Sequence, residues 1–353
     1  MSDPTPEIPE SGAREAVSRG RLVLVISLIV TLLISAGAGF IALKPSSVPV
    51  STAGSTLAKC PANDNGICIA SAAIEIAQDK GPAEGLSAVR IVLESRPDLL
   101  QGCHIIAHEV GKRFLSTFGD EAIVPGNDWC SFGYYHGLLT SFGQDNVEGL
   151  VTYAYKVCSI IASTPSEDCM HGLGHASYEA TGSLRDAMVF CEDLEAKFAT
   201  TCADAVIMED IFVSNNGRMM TAFSPTDCLS LANTSVQAGC ARGLTAELSK
   251  QGLDLAGSCG VYKIKSIYNY CADGFGGSLA GNLLSGSGSA TPAQMASCAG
   301  DTVCSTGFGW IAYMYQIDLN AIESVCREQM AGMYVEDCVE SARAASKHEQ
   351  IKR

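Results

Sequence analysis

The longest apolar stretch of the chain is an uncharged run over residues 22–43. At about 1.5 Å per helical residue it reaches roughly 33 Å, which is enough to cross the hydrocarbon core of a bilayer. The apolar region of a cleavable signal peptide is shorter, about 7–15 residues. The run therefore predicts an uncleaved transmembrane signal-anchor helix, with cleavage near Ala38 as the alternative.

Basic residues on either side of this run indicate its orientation. Arg14, Arg19 and Arg21 precede it, whereas Lys44 and Lys59 follow it. Because the more basic flank stays in the cytoplasm, we expect a single-pass membrane protein whose C-terminal domain is extracytoplasmic, either periplasmic or extracellular. The predicted parts are a cytoplasmic tail (1–21), the anchor (22–43), a linker (44–59), an extracytoplasmic domain (60–346) and a polar tail (347–353).

After the linker, apolar residues recur at the spacing of amphipathic helices. In residues 184–191 and again in 202–212 they return every three or four positions, as on a helix with one buried face. The alternation typical of strands is absent, and helix-forming residues dominate between the glycines. The extracytoplasmic domain is therefore predicted to be all-α.

The 16 cysteines turn this helical pattern into a repeat. From Cys158 onward short gaps alternate with long ones, and the second cysteine of each pair recurs every 31–38 residues. Such a period is typical of two-helix units that stack into a solenoid. So many cysteines also indicate disulfides and an oxidising compartment. The favoured pairs are Cys60–Cys68, Cys103–Cys130, Cys158–Cys169, Cys191–Cys202, Cys228–Cys240, Cys259–Cys271, Cys298–Cys304 and Cys326–Cys338.

Glycines mark positions where helices are expected to cross closely. Gly172, Gly243 and Gly307 each lie three residues after the second cysteine of a pair. Gly137 and Gly174 lie outside this series, and each is next to or near a histidine. Glycine within a helix costs about 1 kcal/mol relative to alanine. The two additional glycines therefore indicate room for a ligand or a tight backbone crossing.

Histidines are concentrated in the first repeats, where five of the six lie within residues 104–175. His104 and His108 are four positions apart, as are His171 and His175. Residues four apart share one face of a helix. Each pair is therefore expected to project from one side of its helix.

Register relates these histidines across repeats. His136 lies six residues after Cys130, and His175 lies six residues after Cys169. They therefore occupy equivalent positions on successive helices. Because equivalent helices of a solenoid lie side by side, the five imidazoles are predicted to converge.

Converging imidazoles favour a transition metal, which neutral imidazole binds well. Five histidines exceed the three protein ligands usual for hydrolytic zinc, so copper or iron is favoured as cofactor and zinc is possible. The predicted function is a copper- or iron-dependent oxidoreductase, with a zinc-dependent hydrolase as runner-up. Glu179 and Asp204 are candidates for a catalytic base or a further ligand. The expected ligands, within residues 103–179, are His104, His108, His136, His171 and His175.

Several other interpretations of the histidines stay open. They could be hydrogen-bonded core residues, the ligands of a structural metal, or the axial ligands of a haem. Covalent c-type haem is excluded because no Cys-x-x-Cys-His sequence occurs. The chain could instead be a helical-repeat scaffold with a structural or sensory metal. A scaffold would bind a protein partner on the repeats beyond residue 202, where no chemistry is evident.

The charge of the chain narrows the choice of partners. The formal net charge is −15, and charged residues make up 17% of the sequence. A strongly acidic surface repels phosphate backbones. Nucleic-acid binding is therefore excluded as a prediction, and the expected partners are the membrane, through the anchor, and another protein.

Overall fold

The computed structural model describes residues 57–61, 66–100, 102–161, 166–217, 223–284, 290–316, 318–330, 332 and 334–351. All of these belong to one compact unit. The predicted cytoplasmic tail, the apolar run 22–43 and most of the linker lie outside the described residues. Among the helices that the structure describes, none has both the length and the hydropathy of a membrane span.

The described residues are helical, without a strand, which confirms the all-α prediction. A short 3₁₀ helix spans Gly119–Ala122. The α-helices are α1 Ile67–Lys80, α2 Pro82–Ser95, α3 Pro97–Leu100, α4 Cys103–Phe118, α5 Gly133–Asp145, α6 Leu150–Ile161, α7 Glu167–Thr181, α8 Leu184–Glu192, α9 Ala196–Gly217, α10 Pro225–Leu229, α11 Thr234–Lys250, α12 Leu255–Cys259, α13 Lys265–Leu284, α14 Pro292–Cys298, α15 Thr302–Gln316, α16 Leu319–Gln329 and α17 Tyr334–Ile351.

Local sequence sets where many of these helices begin. The side chain of Ser166 accepts a hydrogen bond from the backbone N–H of Cys169 at the start of α7. At the start of α14, Thr291 and Gln294 form a reciprocal capping box, with a proline in the first turn. Both devices satisfy N–H groups that have no partner within the helix. The boundaries therefore follow from short-range chemistry.

Long and short helices alternate from α5 onward. The longer helices α4, α5, α7, α9, α11, α13, α15 and α17 contain 13 to 22 residues each. Each of them packs most extensively against the long helices that are its neighbours in the chain. Every short helix from α6 onward except α10 packs against both of the long helices that flank it. The long helices therefore form one continuous row. The last of them extends to Ile351, across residues where the sequence predicted a polar tail.

Disulfides join each short helix to the long helix that follows it. The structure holds the eight pairs that the spacing favoured, and no free cysteine occurs in the described ranges. Cys191 at the end of α8, for example, is bonded to Cys202 within α9, and both are fully buried. The second cysteine lies inside the long helix, which begins at Ala196. The hydrophobic core lies between the row of long helices and the short helices.

Glycines let neighbouring long helices approach to backbone contact. A Cβ on Gly307 would lie 2.0 Å from the backbone oxygen of Asp273 on the preceding long helix. A Cβ on Gly174 would lie 2.1 Å from the backbone oxygen of Cys202 on the following one. Neither position has room for a side chain. Of the two explanations for the additional glycine at 174, the structure supports the tight crossing.

Candidate functional site: a buried histidine cluster

The five histidines between residues 104 and 175 meet in one cluster. Adjacent rings have centroids 4.8–6.4 Å apart. His136 on α5 is central, since its ring contacts each of the other four histidines. The members of this histidine cluster are His104, His108, His136, His171 and His175.

Helical register brings these rings together, as predicted. His171 and His175 lie one turn apart on α7, with ring centroids 4.8 Å apart. His136 and His175, the equivalent positions of successive repeats, have centroids 5.7 Å apart. The close crossing of α5 and α7 at Gly172 makes this possible, because a Cβ there would lie 2.5 Å from the His136 ring.

The five residues of the cluster differ in exposure. His136 and His175 are 2% and 7% exposed. His104, His108 and His171 are half-buried. Solvent therefore reaches three of the residues in part and the other two hardly at all.

Hydrogen bonds orient three of the five rings. The Nδ1 of His104 lies 2.9 Å from the backbone oxygen of Cys130. The Nε2 of His136 lies 2.7 Å from the backbone oxygen of Asp168, and the Nδ1 of His175 lies 2.8 Å from Oε2 of Glu209. Carbonyl and carboxylate oxygens only accept, so each of these ring nitrogens carries the proton and donates it. The second nitrogen of each ring is therefore left with its lone pair.

Two of these lone-pair nitrogens have no partner in the described part of the chain. They are Nδ1 of His136 and Nε2 of His175, and both are buried. A buried polar atom without a hydrogen bond costs about 1–3 kcal/mol. A hydrogen-bond donor placed beside these two nitrogens would therefore stabilise the cluster.

The surroundings keep the cluster neutral at pH 7. Burial lowers the pKa of all five histidines below the ordinary value of 6.5, and neighbouring imidazoles contribute to the shift at the four rings other than His104. The pKa of His175 falls to about 3. A buried charge without a counter-ion is costly. The proton therefore stays off the free nitrogens.

The metal centre predicted from the sequence is wrong. Within the residues that the structure describes, no group of three or more histidine, cysteine, aspartate or glutamate side chains is arranged to hold a metal ion. Zinc binds imidazole nitrogens at about 2.0–2.1 Å, but several rings here contact one another edge to face instead. The oxidoreductase, the zinc hydrolase and the scaffold with a metal lose their basis. The preference for copper or iron over zinc is not tested by this arrangement.

Glu179, a predicted catalytic residue, lies in an ion pair beside the cluster. The Nζ of Lys112 donates to both of its carboxylate oxygens at 2.8 Å, and Gln144 donates to one at 3.2 Å. Burial raises the pKa of Glu179, while the Lys112 ammonium opposes that rise. Its carboxylate is thus held by partners in this structure, and a role as base stays a prediction.

Asp204, the other predicted catalytic residue, belongs to a separate ion network. Its carboxylate lies 3.7 Å from Nη1 of Arg242, whose Nε lies 3.3 Å from Asp273. Burial raises the pKa of Asp204 to about 6, although Arg242 opposes the rise. These three residues and His171 each lie two positions after a cysteine on successive long helices. Asp204 therefore occupies in its repeat the position that His171 occupies in the preceding one, while its catalytic role stays a prediction.

Sequence reasoning missed Glu209, Lys112 and Arg242, whose charges surround the cluster. The repeat itself contains the information that would have found some of them. Several side-chain hydrogen bonds between neighbouring repeats join residues 32–34 positions apart, for example His175–Glu209, Tyr178–Asp210, Thr245–Ser278 and Tyr268–Asp301. The position equivalent to His175 in the next repeat is Met208, and Glu209 lies one residue beyond it.

The search for related proteins adds no family to this description. No family model, no curated protein and no solved structure matches the chain.

Proposed function

We propose that the protein is an extracytoplasmic helical-repeat solenoid that binds a basic polypeptide along one face of its row of long helices. The eight disulfides support an oxidising location. The apolar run 22–43, which lies outside the described residues, is proposed as the membrane anchor.

A continuous face that the short helices leave free carries this proposal. At 100° per residue, positions two and six after a cysteine point about 200° and 240° away from it. The cysteine is bonded to the short helix, so these positions lie on the opposite side. Arg242 contacts both Asp204 and Asp273 from such positions. The faces of three successive long helices therefore adjoin, and we call this surface the open face.

Exposed apolar side chains and the acidic net charge of the chain determine which partner fits the open face. Met208 is 44% exposed at position six, and Tyr270, just before Cys271, is 40% exposed. Trp310 is half-buried at the same register as Met208. The formal net charge of −15 favours a partner of opposite charge. A basic chain with some apolar side chains fits this surface best.

Site-specific photo-cross-linking in the producing cells tests the open face directly. A photo-reactive benzoylphenylalanine replaces Met208 in the full chain. The matched control replaces Val189, which is 56% exposed on the short helix α8. We expect one basic protein to be cross-linked from position 208 and not from 189. Once that protein is purified, its affinity for this chain should fall as the salt concentration rises, because the attraction is between surface charges.

Three outcomes would overturn the proposal. They are equal cross-linking from both positions, no cross-linking from position 208, and capture of only a second copy of this chain.

A further inference from the structure

We propose that the histidine cluster binds a primary ammonium group, either of a small amine or of a lysine side chain. The cluster borders the open face, but the inference needs only the cluster itself. It rests on two buried ring nitrogens without partners, Nδ1 of His136 and Nε2 of His175.

Proton positions make the cluster an acceptor site. The donors of His104, His136 and His175 are each used on an oxygen outside the cluster, so three lone pairs are left over. An anion would be repelled by lone pairs, whereas a donor satisfies them. A primary ammonium carries three N–H donors in a compact head. The three N–H donors of a primary ammonium therefore match the three ring acceptors in number.

A cation in the cluster needs a counter-charge, because Lys112 and Arg242 lower the pKa of neighbouring rings and so oppose positive charge there. Lys112 is paired with Glu179, and Arg242 lies between two aspartates. Glu209, in contrast, faces the cluster through the ring of His175. A carboxylate behind an imidazole strengthens that ring as an acceptor.

Access to the site limits the shape of the ligand. His104, His108 and His171 are half-buried, whereas His136 and His175 are buried. A primary ammonium on a slim alkyl chain has N–H groups to donate, but a quaternary ammonium has none. This contrast distinguishes hydrogen bonding from simple attraction of a cation to aromatic rings.

Calorimetric titration of the full chain at pH 7, with chelator in all buffers, measures this contrast. The probes are butylammonium and tetramethylammonium chloride, which carry the same charge. We expect butylammonium to bind about tenfold more tightly or better, because charge-assisted hydrogen bonds are the stronger kind. An Nα-acetyl-lysine amide, whose side-chain ammonium is free, tests whether the ligand is a lysine side chain. If it binds and butylammonium does not, the site is assigned to a protein partner.

A charge-neutralising variant tests the role of Glu209. Glu209→Gln should weaken butylammonium binding about tenfold, because it removes the carboxylate behind His175. Glu340→Gln on α17 removes the same charge from an exposed position and should change affinity less than twofold. Equal effects of the two substitutions would contradict the inference.

Nitrogen NMR of the unaltered protein keeps the test independent of folding defects in a variant. Butylammonium should shift the resonances of His136 Nδ1 and His175 Nε2 more than those of their protonated partner nitrogens. Unshifted resonances, or equal affinity for the two probes, would mean that only water satisfies these atoms. If butylammonium binds but no partner is cross-linked, the proposed function is wrong and this inference stands. If a partner is cross-linked but neither butylammonium nor the lysine amide binds, this inference is wrong and the proposed function stands.

Discussion

At the scale of single residues, the chemistry of the cluster depends on oxygens outside it. Asp168 and Cys130 contribute backbone carbonyls, and Glu209 contributes a carboxylate. These acceptors decide which nitrogen of each ring holds the proton. The same five histidines with other neighbours would present donors to the cluster and attract a different ligand.

Acid should destabilise the folded protein through these rings. Their folded pKa lies below the unfolded value of 6.5, and for His175 it falls to about 3. Between these two values only the unfolded chain takes up protons, so the free energy of unfolding falls as the pH decreases below 6.5. A single such histidine contributes about 1.4 kcal/mol per pH unit.

Buried carboxyls act in the opposite direction, as Asp204 shows with its pKa raised to about 6. The folded state then binds the extra proton, and acid favours folding by a smaller amount over a narrower range. With five histidines in the cluster, we expect a net loss of stability between pH 7 and pH 5, measured by urea unfolding. Equal or greater stability at pH 5 would contradict this assignment of neutral, buried rings.

At the scale of the elements, helix-to-helix distance is set by glycine. Gly276 on α13 faces α15, and a Cβ there would lie 1.9 Å from the backbone oxygen of Cys304. The neighbouring atom is backbone, so it cannot rotate away. The long helices must therefore separate before any side chain fits.

Gly276→Ala should destabilise the protein by about 1–3 kcal/mol, because it overpacks this crossing. Gly300→Ala is the matched control, since the nearest atoms to its added Cβ are 3.8 Å away. Denaturant unfolding of both variants measures the difference. If the two substitutions have the same effect, backbone contact does not hold these helices together.

At the scale of the whole molecule, each repeat contacts mainly its neighbours, so stability is distributed along the row. Disulfides reinforce this arrangement within each repeat. Seven of the eight bridges, all except Cys103–Cys130, enclose sequence separations of 6–12 residues. Closing a loop of about ten residues contributes roughly 2–3 kcal/mol in the chain-entropy estimate.

Reduction of all eight bridges should therefore unfold the domain. Their combined contribution exceeds the 5–15 kcal/mol by which a domain is ordinarily stable. After reduction and alkylation, far-ultraviolet circular dichroism should show loss of most helix and of the cooperative melt. A mock-alkylated, unreduced sample is the control. Retention of a cooperative melt after reduction would mean that packing alone maintains the fold.

The sequence alone determined the features that depend on short-range contacts along the chain and on the period of the repeat. Apolar spacing predicted helices, cysteine intervals predicted the pairs, and the spacing of His171 and His175 predicted a shared face. These follow from the geometry of one helix, or from repetition of one unit. Only the tertiary structure decided which nitrogen of His136 is free and which carboxylate lies behind His175. Ring orientation depends on backbone and side-chain oxygens about one repeat away in the sequence. The spacing could therefore predict that the rings meet but not that they fail to form a metal site.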